Sequence, residues 1–329
     1  MKPAARRRKK RERLDIIVPV YNEGKALPRF HTDLVRALQK TDCRWRIVYV
    51  DDGSTDTTAD LLLALSARNR HTAWIRLSRN FGHQAALTAG LDLADADIVV
   101  TMDGDGQHPP EMIQEMVRLV RKGYEVVQAR RLDGGTAGRL KRWTSNAFYR
   151  VLNAISGTRV TASAADYRAM SRRAVDSLRA MPEYHRFLRG MVAWMGFPTL
   201  ILPYSGVDRI GGASKYSLGK MLRLASDAIF SFSLAPLYVG LAVGGAFFCL
   251  ALLEMAYVLS FWVTGQTVTL APGWSSLMFI LLIVGGTATV LLGFIGVYVG
   301  YIFQEVKRRP VYIVGGASPS IRLARADRE

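Results

Sequence analysis

Two apolar runs, Leu234 to Val263 and Ser275 to Phe303, occupy most of the last third of the chain. Each exceeds the ~20 residues that a helix needs to cross hydrocarbon, and two such runs in tandem are poor material for a soluble core. Two transmembrane helices within residues 233–304 are therefore expected. The connecting segment, Thr264 to Trp274, has no Lys or Arg, whereas Lys307, Arg308 and Arg309 follow the second run and a large basic part precedes the first. By the positive-inside rule, both termini and the region before Ser233 lie in the cytoplasm. The expected location is the cell's inner (plasma) membrane, with a multi-pass topology. Gly240-x-x-x-Gly244 and Gly296-x-x-x-Gly300 would permit close helix approach in lipid. Glu254, inside the first run, occupies a costly position.

The net charge of +17 calls for an anionic partner. Residues 1–13 form a basic tail carrying Lys2, Arg6, Arg7, Arg8, Lys9, Lys10, Arg11 and Arg13 against Glu12 alone. No apolar h-region follows it, so it is not a secretory signal. The basic residues flank a membrane anchor, which favours an acidic membrane surface over nucleic acid. Residues 305–329 form a second basic tail, read as cytoplasmic. The two cysteines, Cys43 and Cys249, match neither a disulfide framework nor a metal-ligand spacing.

Before Ser233, strands alternate with helices. Strands are expected at Asp15–Val20, Arg46–Asp51, Trp74–Leu77, Asp97–Met102 and Glu125–Arg130. Helices are expected near Leu27–Gln39, Thr57–Ala67, Gln84–Leu93 and Glu111–Arg121. This alternation predicts an α/β domain over residues 14–215, with a mostly parallel, Rossmann-like sheet. Two stretches, Lys141 to Ile155 and a juxtamembrane helix at 216–232, mix bases and aromatics at helical spacing, as interfacial helices do.

Ligands on parallel sheets bind beyond the carboxyl ends of the strands. Acids collect at those ends: Asn22-Glu23 after the first strand, Asp51-Asp52 after the second, and Asp103, Asp105 and Gln107 after the fourth. An oxygen-only set of this kind suits Mg²⁺ or Mn²⁺ bridging to substrate phosphates. In Asp52-Gly-Ser-Thr-Asp56, Ser54 or Thr55 could cap the next helix, while Asp52 is placed to accept hydrogen bonds from a base or ribose. His83 and His108 have no partners at ligand spacing and read as turn or capping residues.

Taken together, Pro19-Val-Tyr-Asn-Glu23, Asp52-Gly-Ser-Thr-Asp56, Arg79-Asn-Phe-Gly82 and Asp103-Gly-Asp-Gly-Gln-His-Pro109 resemble the GT-A nucleotide-sugar-binding fold of inverting family-2 glycosyltransferases. Ala165-Asp-Tyr-Arg168, Met181-Pro-Glu183, Phe187-Leu-Arg-Gly190, Arg209-x-x-Gly-x-Ser-Lys215 and the closing Lys-Arg-Arg-Pro-x-Tyr narrow the resemblance to polyprenyl-phosphate glycosyltransferases, closest to the bactoprenol (undecaprenyl-phosphate) glucosyltransferases. Dolichol-phosphate mannose synthases and the undecaprenyl-phosphate aminoarabinose transferase belong to the same branch. The sequence departs from that pattern at Ala165, where Gly is usual, and at Gly296-Val-Tyr-Val-Gly-Tyr301, where many relatives carry an intramembrane Glu and Arg.

The resemblance implies inverting transfer of a sugar from a nucleotide-diphosphate sugar, UDP-glucose or a related UDP-sugar, to polyprenyl phosphate on the cytoplasmic face. It implies Pro19, Tyr21 and Glu23 in the nucleotide pocket and Asp52 at the nucleobase. Asp103, Asp105 and Gln107 would hold the metal against the diphosphate, making Asp105 catalytic beside Asp166, which matches the family's proposed catalytic acid residue. Arg130, Arg168, Arg209, Ser214 and Lys215 would clamp the phosphates of donor and acceptor. A homo-oligomer is expected. Two other readings are a processive polysaccharide synthase, which would need a Gln-x-x-Arg-Trp motif and more membrane helices, and a catalytically inactive membrane scaffold or lipid-binding module.

Overall fold

Strand β1 (Arg13–Val20) is buried along nearly its whole length, as a central parallel strand must be when both faces are covered. Around it the computed structural model, which describes residues 11–132, 164–205, 235–264 and 273–321, builds one eight-stranded sheet. The chain divides into two units. One comprises Met1–Asn153, Gly157–Met221 and Pro310–Glu329, and the other Ala154–Ser156 and Leu222–Arg309.

In the first unit the expected strand–helix alternation holds: β1, α1 (Leu27–Leu38), β2 (Arg44–Asp51), α2 (Thr58–Arg68), β3 (Thr72–Leu77), α3 (His83–Leu93), β4 (Ile98–Thr101), α4 (Met112–Arg121) and β5 (Val126–Leu132). Three further strands complete the sheet: β6 (Ala164–Ser171), β7 (Thr199–Ser205) and β8 (Val314–Ala317). Short helices α5 (Arg172–Arg179) and α6 (Leu188–Trp194) lie between β6 and β7. The strand order is β7-β5-β6-β4-β1-β2-β3-β8. Strands β4, β1, β2 and β3 run parallel, β6 is antiparallel to both β4 and β5, and β8 is antiparallel to β3. Residues 314–317, read from sequence as part of a tail, thus form an edge strand.

The order reverses at β1, whose neighbours are β2 and β4, and such a reversal leaves a crevice at the carboxyl ends of the strands. Pro19 sharpens it. The carbonyl of Ile17 accepts the amide of Met102, so alternate residues of β1, Pro19 included, face β4. Proline has no N–H to extend that ladder, and the pairing ends at Ile17 opposite Thr101. The chain then leaves the sheet at Asp103. Beneath this crevice α3 lies close on the sheet, because at Gly90 an added Cβ would overlap the Ile17 side chain. The core joins the large apolar residues of β1, β2 and β4 to Phe30 and Leu34 of α1 and Ile113 and Met116 of α4.

The second unit contributes α7 (Ala235–Thr264) and α8 (Trp274–Val306), 30 and 33 residues long. The window Ile283–Val306 of α8 is long and apolar enough to cross a membrane, and it is the one window among the described residues that meets this criterion. Gly240 of α7 lies against Leu291 of α8, where a Cβ would overlap the leucine. The expected amphipathic helices at 141–155 and 216–232, most of the basic amino-terminal tail and the side chain of Glu254 lie outside the described residues.

Candidate active site

Three loops leave the carboxyl ends of β1, β2 and β4, and hydrogen bonds join the first two of them. The amides of Asn22, Glu23 and Gly24 donate to Ser54 Oγ, Thr58 Oγ1 and Asp56 Oδ2, at 3.0, 3.0 and 3.1 Å. Thr55 returns an amide to Asn22 Oδ1 at 2.9 Å. Ser54 and Thr55 therefore tie the β1 loop to the β2 loop instead of capping α2, whose N-cap is Thr57. Gly53 is required twice over. Its φ is +69°, and a Cβ would overlap the backbone of Arg79 and Asn80.

Asp52 is committed to the same scaffold. Its carboxylate accepts the amides of Phe81 at 2.7 Å and Gly82 at 2.9 Å, which fixes the 79–82 turn and the start of α3. Burial raises its pKa and the two amides oppose that shift. The sequence reading had no structural reason for an acid here because the partners lie 29 and 30 residues away. Of the other residues assigned to the nucleotide pocket, Pro19 is buried in β1, Glu23 is half-buried and Tyr21 is 37% exposed.

The β4 loop carries the acidic motif. Asp105 Oδ1 accepts the Gln107 amide at 3.0 Å. His108 is buried, accepts the Asp103 amide at Nδ1 (3.0 Å) and stacks on Tyr167 at 4.9 Å between ring centres. The Tyr167 hydroxyl donates to the Pro109 carbonyl at 2.9 Å, so the far end of the loop is pinned to β6. Gln107 Oε1 accepts Arg131 at 3.0 Å. Arg130, the neighbour assigned to phosphate from sequence, is exposed, and consecutive strand residues point to opposite faces.

Asp166, on β6, is the hub. The Thr101 hydroxyl donates to its carbonyl at 2.7 Å, fixing it beside the end of β4. Its carboxylate, 4% exposed, accepts Arg168 at 2.8 Å and Arg189 of α6 through two nitrogens at 3.1 and 2.9 Å. Gln84 donates at 3.4 Å and His83 Nε2 lies at 3.5 Å. Burial opposes ionisation of Asp166, but the charge of Arg189, the hydrogen bond from His83 and the charge of Arg168 outweigh it and hold the carboxyl well below its usual range. His83 Nε2 is also 3.4 Å from Asp103 Oδ1. Burial would lower the histidine, yet the carboxylates of Asp103 and Asp166 prevail and push it up to about 8. Asp103 Oδ1 is buried and makes no hydrogen bond.

Asp103, Asp166 and Arg168 therefore lie together, but Arg168 is 3% exposed and spent on Asp166, which removes it from the crevice surface. His83, read from sequence as a turn or capping residue, opens α3 and also lies between Asp103 and Asp166. Arg189, Gln84 and Arg131 were not assigned from sequence, and the one signal for Arg189 was its place in Phe187-Leu-Arg-Gly190. Arg209, Ser214 and Lys215 lie outside the described residues.

Residues 15–179 match the family described as glycosyl transferase family 2. The SfII prophage-derived bactoprenol glucosyl transferase of Shigella flexneri is 34% identical over 305 residues, covering 92% of this chain and 97% of the relative. An uncharacterized glycosyltransferase of Bacillus subtilis (strain 168), YkcC, is 38% identical over 303 residues, covering 91% and 92%. Among solved structures, the mannosyltransferase of Pyrobaculum calidifontis in complex with GDP-Man and Mn²⁺ aligns with a TM-score of 0.43 at 17% identity, over 86% of this chain and 87% of that one.

Proposed function

The chain belongs to glycosyl transferase family 2, and from that premise we propose that it transfers a sugar, with inversion, from a nucleotide-diphosphate sugar to a polyprenyl phosphate. The observation that carries this reading is the pairing, at the β1–β4 crevice, of a buried but unbonded Asp103 oxygen with Asp166 inside its cage of Arg168, Arg189 and His83. Full-length relatives named bactoprenol glucosyl transferase support an undecaprenyl acceptor and a glucose donor such as UDP-glucose.

The donor set fits a divalent cation. Among the described residues no three His, Cys, Asp or Glu side chains converge on a metal position. Mg²⁺, however, commonly uses one or two carboxylates and takes its remaining ligands from phosphate and water. Asp103 and Asp105 would hold Mg²⁺ or Mn²⁺, with the Gln107 carbonyl shared between that role and Arg131. The ion, when bound, supplies counter-charge to the departing nucleotide diphosphate.

The remaining work falls to side chains. A phosphate monoester has a second pKa near ~6, so the acceptor is largely dianionic at neutral pH and needs no strong base. Asp166 is poorly suited to be one, because five donor contacts occupy its two oxygens. It fixes Arg189 and His83 instead, and these, with Arg131, offset the repulsion between two anionic reactants. Arg209, Ser214 and Lys215 would receive the acceptor phosphate as it arrives from the lipid. The attacking phosphate oxygen forms a bond to C1 of the sugar as the C1–oxygen bond to the diphosphate breaks on the opposite face. Placement at the inner membrane, with the catalytic unit in the cytoplasm and two crossings by α7 and α8, accords with this chemistry.

The test is a donor panel. Full-length protein in detergent, stripped with EDTA and resupplied with Mn²⁺ or Mg²⁺, is given UDP- and GDP-sugars with undecaprenyl phosphate, and lipids are weighed by mass spectrometry. A single hexose added to undecaprenyl phosphate from UDP-glucose is expected. No glycolipid from any donor overturns the proposal, and a sugar polymer favours a processive synthase.

A further inference from the structure

The amino ends of β1, β2 and β3 border an open cavity of about 690 Å³ lined by Arg11, Arg13, Arg44, Arg46 and Arg70, by the acids Asp15 and Asp95, and by Trp45 and His71. It lies at the end of the sheet opposite the crevice. Arg13 and Val20 bound β1, and seven steps of about 3.3 Å separate the two sites by roughly 20 Å. Its volume suits a small ligand.

The charges in it are not balanced. Asp15 is 3% exposed and is consumed by a two-pronged pair with Arg46, at 2.9 and 2.6 Å, while also accepting the Asp95 amide at 2.9 Å. The Asp95 carboxylate pairs with Arg13 at 2.8 Å and reaches Arg172 at 3.7 Å. Arg11, Arg44 and Arg70 form no salt bridge among the described residues, and all three are exposed. Trp45 and His71 are held in contact, with ring centres 4.6 Å apart and His71 Nδ1 3.1 Å from the Trp45 carbonyl, so one wall is a fixed aromatic surface. Guanidinium groups match phosphate oxygens in pairs. Three arginines without a carboxylate partner among the described residues, one of them, Arg70, reaching only His71 at 3.5 Å, surround a cavity whose volume suits an anion with several oxygens.

We propose that this cavity is a second anion site, distinct from the catalytic crevice, and that it binds a phosphate-bearing ligand. The phosphate can come from a soluble polyphosphate compound or from an anionic lipid headgroup.

Tripolyphosphate serves as the probe, with the full-length protein in nanodiscs and EDTA present to suppress diphosphate binding at the crevice. In nanodiscs of phosphatidylcholine alone, calorimetry should detect saturable binding. The double variant Arg44→Ala/Arg70→Ala should weaken it at least tenfold, whereas Arg44→Lys/Arg70→Lys should retain part of it. Both positions are exposed and stand apart from the catalytic residues, so glycosyl transfer reports on folding. In nanodiscs containing phosphatidylglycerol, unchanged affinity assigns the site to soluble phosphate compounds, and a tenfold loss by competition assigns it to lipid headgroups. The proposal fails if wild type does not bind tripolyphosphate in phosphatidylcholine. It fails equally if the alanine variant binds as tightly as wild type, since the basic tail alone would then account for the binding.

Discussion

Asp166 receives charge from Arg189, Arg168 and His83, and that crowding separates two ways in which an aspartate can serve this reaction. A general base must be free to take a proton near the working pH. Asp166 has a folded value below the unfolded one of about 3.9, so the stability it contributes is fully present above that value. That contribution is lost only as the pH falls through the depressed folded value. Between about pH 5 and 8 it should therefore contribute no ionisation to the rate profile. Asp166→Asn should lower kcat by about 10²–10³-fold, comparable to losing one electrostatic stabiliser. It should also cost about 3–5 kcal/mol of stability, because buried cations lose their partner. Arg189→Ala should reduce kcat in the same manner, with partial recovery in Arg189→Lys. Rate profiles of wild type, Asp166→Asn and His83→Ala across that pH range decide the matter. Because Asp166 also raises His83, an ionisation near neutrality that disappears in Asp166→Asn but persists in His83→Ala would make Asp166 a base, whereas one lost in both belongs to His83. The alternating acids at 103 and 105 were legible in the sequence because they are local. The cage was not, because Arg189 reaches Asp166 across 23 positions and His83 across more.

The same distinction between local and distant signals explains which elements could be read. Strands β1 to β5 announce themselves as short apolar runs closed by acids or turns. Strand β6 is buried yet carries Asp166 and Arg168, which it can do because they neutralise each other. Strand β7 alternates exposed and partly buried residues around Pro203, as an edge strand does. Strand β8 is Val-Gly-Gly-Ala, with no propensity to advertise it, and is specified by its pairing with β3. Two predictions follow from how these elements pack. Gly90→Ala should cost about 1–3 kcal/mol by overpacking against Ile17. It should also lower kcat, since α3 carries His83 and Gln84, and denaturant melts with matched kinetics would check both. At the other edge, the Tyr312 hydroxyl donates to Asp92 at 3.0 Å and anchors the segment leading into β8. Burial raises the Asp92 pKa and this hydrogen bond pulls it back. A carboxyl with a raised folded value loses stability for the fold as pH rises through that value, and the tyrosine offsets part of the loss. Tyr312→Phe should therefore destabilise by about 1–2 kcal/mol at pH 8 and by less at pH 5, where Asp92 is more protonated. Equal losses at both pH values would remove Asp92 from the account.

For the whole chain, strand β8 constrains what the apolar helices can do. Residues 314–317 pair with β3, so the segment after α8 lies on the same side of any membrane as the sheet formed by the residues before α7. A single crossing would separate strands that are hydrogen-bonded to one another. If the window Ile283–Val306 spans a bilayer, α7 must supply the return crossing, although it was not singled out by the same criterion. Its 30 residues, about 45 Å at 1.5 Å each, are long enough. Because the connecting loop has no Lys or Arg, the positive-inside rule predicts that loop outside and the sheet inside, the side on which the proposed nucleotide-sugar donor would be met. Cysteine labelling tests this. Cys43 is buried and silent, and Cys249 is exposed and should be replaced by alanine first. Ser318 is a poor reporter, being 4% exposed with its hydroxyl accepting the Trp74 amide at 3.3 Å, whereas Ser320 is exposed. Thr269→Cys should react with an impermeant maleimide on intact cells, and Ser320→Cys only after permeabilisation. Reaction of both from outside, or of neither, would mean that the helices do not cross between them. The reverse pattern would put the sheet on the face where no nucleotide sugar is made, and the proposed donor would fall with it.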